Sequence, residues 1–165
     1  ATAPVVIPKP APPSAGGKHA VPWLPSEKQY LTETTGVTAE IRRVTLKLVA
    51  HYRPPVYTES SLTDETWRND LAMMLVMLDT GVAQGLRATI EVPSTRLEDY
   101  NIAFEAAMQE AGPVPEMMTR AIDTLDPALQ RQAFARLRVA DTKLKQATAL
   151  LETAKYQPAV LIDYD

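Results

Sequence analysis

"EDYNIAFEAAMQEAGPVPEMMTRAIDTLDP" (Glu98–Pro127) is the stretch whose reading decides the fold. Leu97, Tyr100/Asn101, Phe104, Ala107/Met108 and Ala111 recur at helical spacing, after a Thr95 to Glu98 capping box and before a stop at Gly112. Val114–Leu125 predicts a shorter second helix with Pro115 near its start. Asp126-Pro127 is an N-cap followed by a first-turn proline, so a third helix opens there. The segment therefore reads as a helical pair closed by Pro127.

Toward the C-terminus the helical pattern runs to about Tyr156. Ala133, Leu137, Ala140, Leu144, Ala147, Leu151 and Ala154 alternate at spacings of four and three, a seam that lets a neighbouring helix approach closely. That neighbour is either inside the domain or on another chain. Toward the N-terminus, "LTDETWRNDLAMMLVMLDTG" (Leu62–Gly81) reads as a helix capped by Thr63, with acids in its first turn and Gly81 as its stop. Residues 82–92 and 38–52 each suit a helix or a strand, and Pro54-Pro55 ends the latter either way.

An internal period favours helix for both. Trp67 and Tyr100 stand 33 residues apart, and Pro93 and Pro127 34 apart. The pairs become Thr63–Pro93, Ser94–Asp126 and Pro127–Gln157, preceded by one helix from Thr38. A single pair cannot bury its apolar face, so the expectation is an all-α fold: a short solenoid of about three helical hairpins preceded by one helix. Its domain is residues 37–157, flanked by an extended Pro-rich N-terminal arm (1–36) and a short extended C-terminal tail (158–165).

The arm contains "PVVIPKPAPPSAGGKHAVPWLP" (Pro4–Pro25), and half of the 14 prolines lie in the first 25 residues. Such a stretch favours polyproline II, with Gly16-Gly17 as a flexible joint. Its apolar clusters, Val5, Val6, Ile7 and Trp23, Leu24, are candidate partner contacts, as are Leu161 and Ile162 in the tail. Trp23 either packs on its own domain or anchors the arm in a partner's groove. The tail either adds to a partner's sheet or folds back onto its own core.

Composition narrows the chemistry. With 45% hydrophobic and 22% charged residues the chain is that of an ordinary globular protein, and its net charge of −3 offers no bulk attraction for nucleic acid or anionic lipid. The absence of cysteine excludes disulfides, cysteine-ligated metals and thiol catalysis. His19 and His51 lack a second ligand at i+3 or i+4, and Asp64-Glu65 and Glu98-Asp99 suit helix first turns. No glycine-rich phosphate loop or nucleophile elbow appears. The expectation is a protein that is no enzyme and takes no cofactor or metal. The apolar run Leu71–Leu78 is far short of the roughly 20 residues that span a bilayer, so no membrane insertion is expected. From Pro127 to Tyr156 six cations face two acids, with Arg131, Arg138 and Lys145 among them. These basic side chains are spread around the helix, and a solvated face, or one complementary to an acidic partner, is expected rather than nucleic acid.

Glu98–Pro127 also resembles a pentatricopeptide repeat, through Tyr100-Asn101 in the first turn, Ala106-Ala107, Gly112 and the terminal Pro127. The resemblance covers one repeat and is degenerate on either side, where Trp67-Arg68 replaces Tyr-Asn. It implies an all-α solenoid in an organellar protein, here the mitochondrial matrix after loss of a transit peptide, which the Ala1 start allows. Most members read single-stranded RNA with a polar residue at the Asn101 position. A small, acidic chain with a Pro-rich arm is more similar in plan to the accessory pentatricopeptide-containing subunits on the catalytic head of the euglenozoan mitochondrial ATP synthase. This implies a non-catalytic accessory subunit of a large mitochondrial assembly, with ATP synthase catalytic subunits as partners. The alternatives are a mitochondrial RNA-binding or ribosome-associated protein, contacting RNA through Asn101, Arg131, Arg138 and Lys145, and a virion or secretion-apparatus structural protein.

Overall fold

The computed structural model describes residues 3–7 and 19–165. Its helices are α1 (Pro25–His51), α2 (Glu65–Ala88), α3 (Glu98–Ala111), α4 (Val114–Asp123) and α5 (Pro127–Ala154). Among the described residues the only β-pairing is two isolated bridges, so the expected all-α class is the one formed. The Gly16-Gly17 joint and its flanking prolines lie outside the described residues.

α1 starts earlier than the expected arm boundary, taking residues 25–36 from it. Pro25 occupies the first turn, where a missing N–H costs nothing, and Glu27 accepts the Leu24 N–H at 2.9 Å. Tyr30, Thr34 and Val37 then begin the buried stripe that continues through Ile41, Val44 and Leu48. That stripe outweighs the helix cost of Gly36. α1 ends at His51, ahead of Pro54-Pro55, so residues 38–51 are helix and Tyr52 is its C-cap.

α2 corrects the hairpin count. Its cap is Asp64, whose carboxylate accepts the Trp67 N–H at 3.0 Å, rather than Thr63. Gly81 does not stop it: the buried stripe runs on from Leu71, Leu75 and Leu78 to Val82. Residues 82–92 are therefore the end of this helix and a turn, neither a strand nor a second helix. The glycines serve close approach instead. A Cβ on Gly85 would lie 2.5 Å from Met108 Sδ and 3.1 Å from Val37 Cγ1. Pro127–Gln157 likewise holds one long helix, and in Ser94–Asp126 α3 and α4 follow one another through right-handed Gly112 and Pro113 and each packs on α5, so none of the three expected pairs is a hairpin packed on itself. By length and composition α2 is apolar enough to cross a bilayer. Here one face of it is buried, with Trp67, Leu71, Leu75 and Leu78, while Met73 and Val76 are exposed.

α1 and α2 run antiparallel, with Ile41 against Gly81 and Val37 against Gly85. α5 packs across both α3 and α4, and α2 touches the same two. Its Ala/Leu seam faces this interior: Ala133, Leu137, Ala140, Leu144, Ala147 and Ala154 are buried. Phe104, Met108 and Met118 meet it from α3 and α4. Each large apolar side chain buried in this way stabilises the fold by about 1.5–3 kcal/mol.

α3 begins at Glu98, after a 3-10 turn at Thr95–Leu97 that replaces the expected capping box. Gly112 follows α3 with right-handed dihedrals. α4 closes on Leu125, at φ 52°, with Asp126 N–H donating to Ala121 O (2.8 Å) and Leu125 N–H to Ile122 O (3.3 Å). This is a Schellman ending with leucine where glycine is usual. Asp126 then caps α5 as expected, accepting from Ala128 and Leu129 N–H.

The tail folds back onto the domain. Ile7 N–H donates to Ala159 O, Thr95 N–H to Val160 O and Ile162 N–H to Pro93 O. Val6 and Ser94 bridge it from opposite sides, at Val160 and Leu161.

Candidate interaction surface and the buried clamp

The most deeply buried charges are Arg96 and Glu27, whose side chains are 1% and 0% exposed. Arg96 Nε and Nη2 donate to the two Glu27 carboxylate oxygens, each at 2.7 Å. Its remaining N–H groups reach Val21 O and Gln157 O from Nη1 (both 3.1 Å) and Pro22 O from Nη2 (2.9 Å). All five guanidinium donors are therefore used. Glu27 in turn accepts from Leu24 N–H and, at 2.7 Å, from the Ser94 hydroxyl. Burial alone would raise the Glu27 pKa. The Arg96, Leu24 and Ser94 hydrogen bonds and the Arg96 charge outweigh it and hold the carboxyl below its ordinary value. This clamp joins the root of the arm, the start of α1, the turn before α3 and the exit of α5. It was not foreseen from the sequence; the one local signal was Glu27 in the third position after Leu24.

The candidate partner residues fall around it. Trp23 is half-buried on its own domain, its ring 4.2 Å from the Arg96 guanidinium carbon, and Leu24 beside it is half-buried. Val5 and Val6 are exposed while Ile7 is half-buried against the tail. Leu161 and Ile162 are half-buried, Ile162 against the core.

Asn101 faces inward and is not presented as a base reader. It is buried, its Oδ1 accepts the Tyr30 hydroxyl at 2.5 Å, and its Nδ2 donates to Thr89 O at 3.2 Å. Tyr100 donates to Thr34 beside it. His51 is also structural: Trp67 Nε1 donates to His51 O at 3.0 Å, His51 Nε2 lies 2.8 Å from Trp67 O, and the rings stack at 4.5 Å.

Arg131, Arg138 and Lys145 do come together, with two cations that the sequence reading did not single out, Arg42 on α1 and Arg53 just beyond its end. They line a groove between α1 and α5 formed by two adjoining cavities of about 610 and 430 Å³, which share Val49, Arg53, Phe134 and Arg138. Its one carboxylate, Asp141, pairs with Arg42 (3.0 Å) and Lys145 (2.9 Å). Leu46 stands at its edge, 71% exposed. Among the described residues no three His, Asp or Glu side chains gather as metal ligands.

Comparison of the chain with protein-family models, with curated proteins and with solved structures finds no match.

Proposed function

We propose that this chain is a non-catalytic accessory subunit of a large mitochondrial assembly, bound through its helical surface and its exposed arm residues Val5 and Val6. The catalytic head of the ATP synthase is the first candidate, on the pentatricopeptide resemblance of Glu98–Pro127. The observation that supports a structural role is the use of the clamp. Arg96 and Glu27 direct every polar contact at each other, at the Ser94 hydroxyl and at the chain's own backbone, which ties Val21 and Pro22, the start of α1, the turn before α3 and the exit of α5 together. The outer surface is then free to act as a docking platform.

The test is a gentle affinity purification from native extract, half of it nuclease-treated, with the co-purifying chains identified. Stoichiometric ATP synthase catalytic subunits in both halves are the expected result. Their absence from both halves overturns the assembly reading.

A second reading, a mitochondrial RNA-binding or ribosome-associated protein, rests on the cations of the α1/α5 groove. It predicts partners that vanish with nuclease and a binding constant that falls steeply with salt.

A further inference from the structure

We infer that the α1/α5 groove is a docking site for an acidic amphipathic helix of a partner protein. The argument begins with ion-pair accounting. Arg42, Arg43, Arg68, Arg96, Arg120 and Arg136 each face a carboxylate within 3.6 Å. Among the described residues Arg53, Arg87, Arg131 and Arg138 face none, and three of these four line this one groove. Five cations there face a single carboxylate, in a protein whose net charge is −3. Like charges held this closely repel one another, and a ligand that supplies carboxylates relieves the repulsion.

The spacing specifies the ligand. Arg131, Arg138 and Lys145 lie seven residues apart on one face of α5, so they rise along it in steps of about 10.5 Å. A helix lying beside α5 with an acid at every seventh position matches that ladder. The floor between the cations is apolar, with Val49 and Phe134 and with Leu46 at the edge, and takes the apolar stripe of the same helix. Tyr52 lines the same groove, and its hydroxyl is the one buried side-chain polar atom among the described residues without a hydrogen-bond partner. Single-stranded RNA is disfavoured because the groove offers no ladder of open aromatic faces on which successive bases would stack.

The inference rests on the accessory-subunit reading for the source of the partner, and the test separates the two. The full chain is titrated by fluorescence anisotropy with a synthetic helical peptide of about three heptads, with Glu at every seventh position beside a leucine stripe. Oligouridine of equal charge serves as the second probe. The groove variant is Arg53→Glu/Arg131→Glu/Arg138→Glu, and the control is Arg68→Glu/Arg87→Glu/Arg120→Glu, which makes the same charge change elsewhere. Thermal melts establish that both remain folded. The expected result is peptide binding weakened at least tenfold in the groove variant and less than threefold in the control. Four results overturn the proposal: no binding to wild-type protein, equal loss in both variants, undiminished binding by the groove variant, or tighter arginine-dependent binding of oligouridine. Peptide discrimination without ATP synthase in the affinity purification removes the assembly reading and leaves the groove. The reverse outcome removes the groove alone.

Discussion

Arg96 and Glu27, 69 residues apart in the chain, meet in a two-point ion pair with both contacts at 2.7 Å and almost no solvent on either side chain. Removing one member leaves the other charged and buried, which is far more costly than replacing both. Arg96→Leu is therefore expected to lose about 3–5 kcal/mol of stability in urea unfolding. Glu27→Met/Arg96→Leu should lose much less than the sum of its two single changes. A single variant within about 1 kcal/mol of wild type would show that the clamp does not hold the fold.

The same pair sets a pH dependence. The Glu27 pKa in the folded protein lies below its ordinary value of 4.5, so as pH falls through that region the unfolded chain takes up its proton first. The stabilisation is complete above the unfolded value and is lost as pH drops toward the folded one. The stability gap between wild type and Glu27→Gln should be constant near neutrality and narrow below about pH 4.5. Denaturant midpoints measured across that range check it; a gap unchanged down to pH 3 would sink the assignment.

Trp23 offers a direct distinction between an anchor for a partner and a part of the domain. Its contacts with Arg96 and the core predict that Trp23→Ala destabilises the isolated protein by roughly 1–3 kcal/mol, less than a fully buried tryptophan because the ring is half-buried. Thermal unfolding of the purified chain reads this. An unchanged midpoint would mean that the ring contributes nothing in cis.

Asn101 and Tyr30 are expected to behave as a coupled buried pair. Asn101→Leu strands the Tyr30 hydroxyl and should cost about 1–3 kcal/mol, and Tyr30→Phe in the same background should recover part of it. Strict additivity in the double-mutant cycle would contradict the hydrogen bond.

Leu125 holds a left-handed backbone conformation while its side chain is 67% exposed, so it has strain and little packing to offset it. Leu125→Gly should raise stability by about 0.5–1 kcal/mol, the relief of a leucine in this region less the extra freedom of glycine in the unfolded chain. Calorimetry checks it, and a lowered midpoint would refute it.

The sequence alone determined the all-α class, the helical stretches of α3 and α4, the Asp126-Pro127 start of α5 and the register of the Ala/Leu seam, whose inward direction only the packing decided. These depend on local chemistry: helical periodicity over many residues, a cap, a first-turn proline. It also named Arg131, Arg138 and Lys145 as candidate contacts, while reading the cations of that segment as spread around the helix. What it misplaced were boundaries at glycine. Gly36 and Gly81 read as breaks, yet both lie within helices, because a buried stripe on each side outweighs a cost of about 1 kcal/mol. Only the tertiary structure decided the rest. Nothing local to Arg96 shows that residues 69 positions upstream and 61 downstream converge on it. Nothing local to Arg42 or Arg53 shows that they line one groove with the cations of α5. Such sites are made by long-range packing, which brings distant segments together for the sake of apolar burial and leaves their polar groups to find partners where they land.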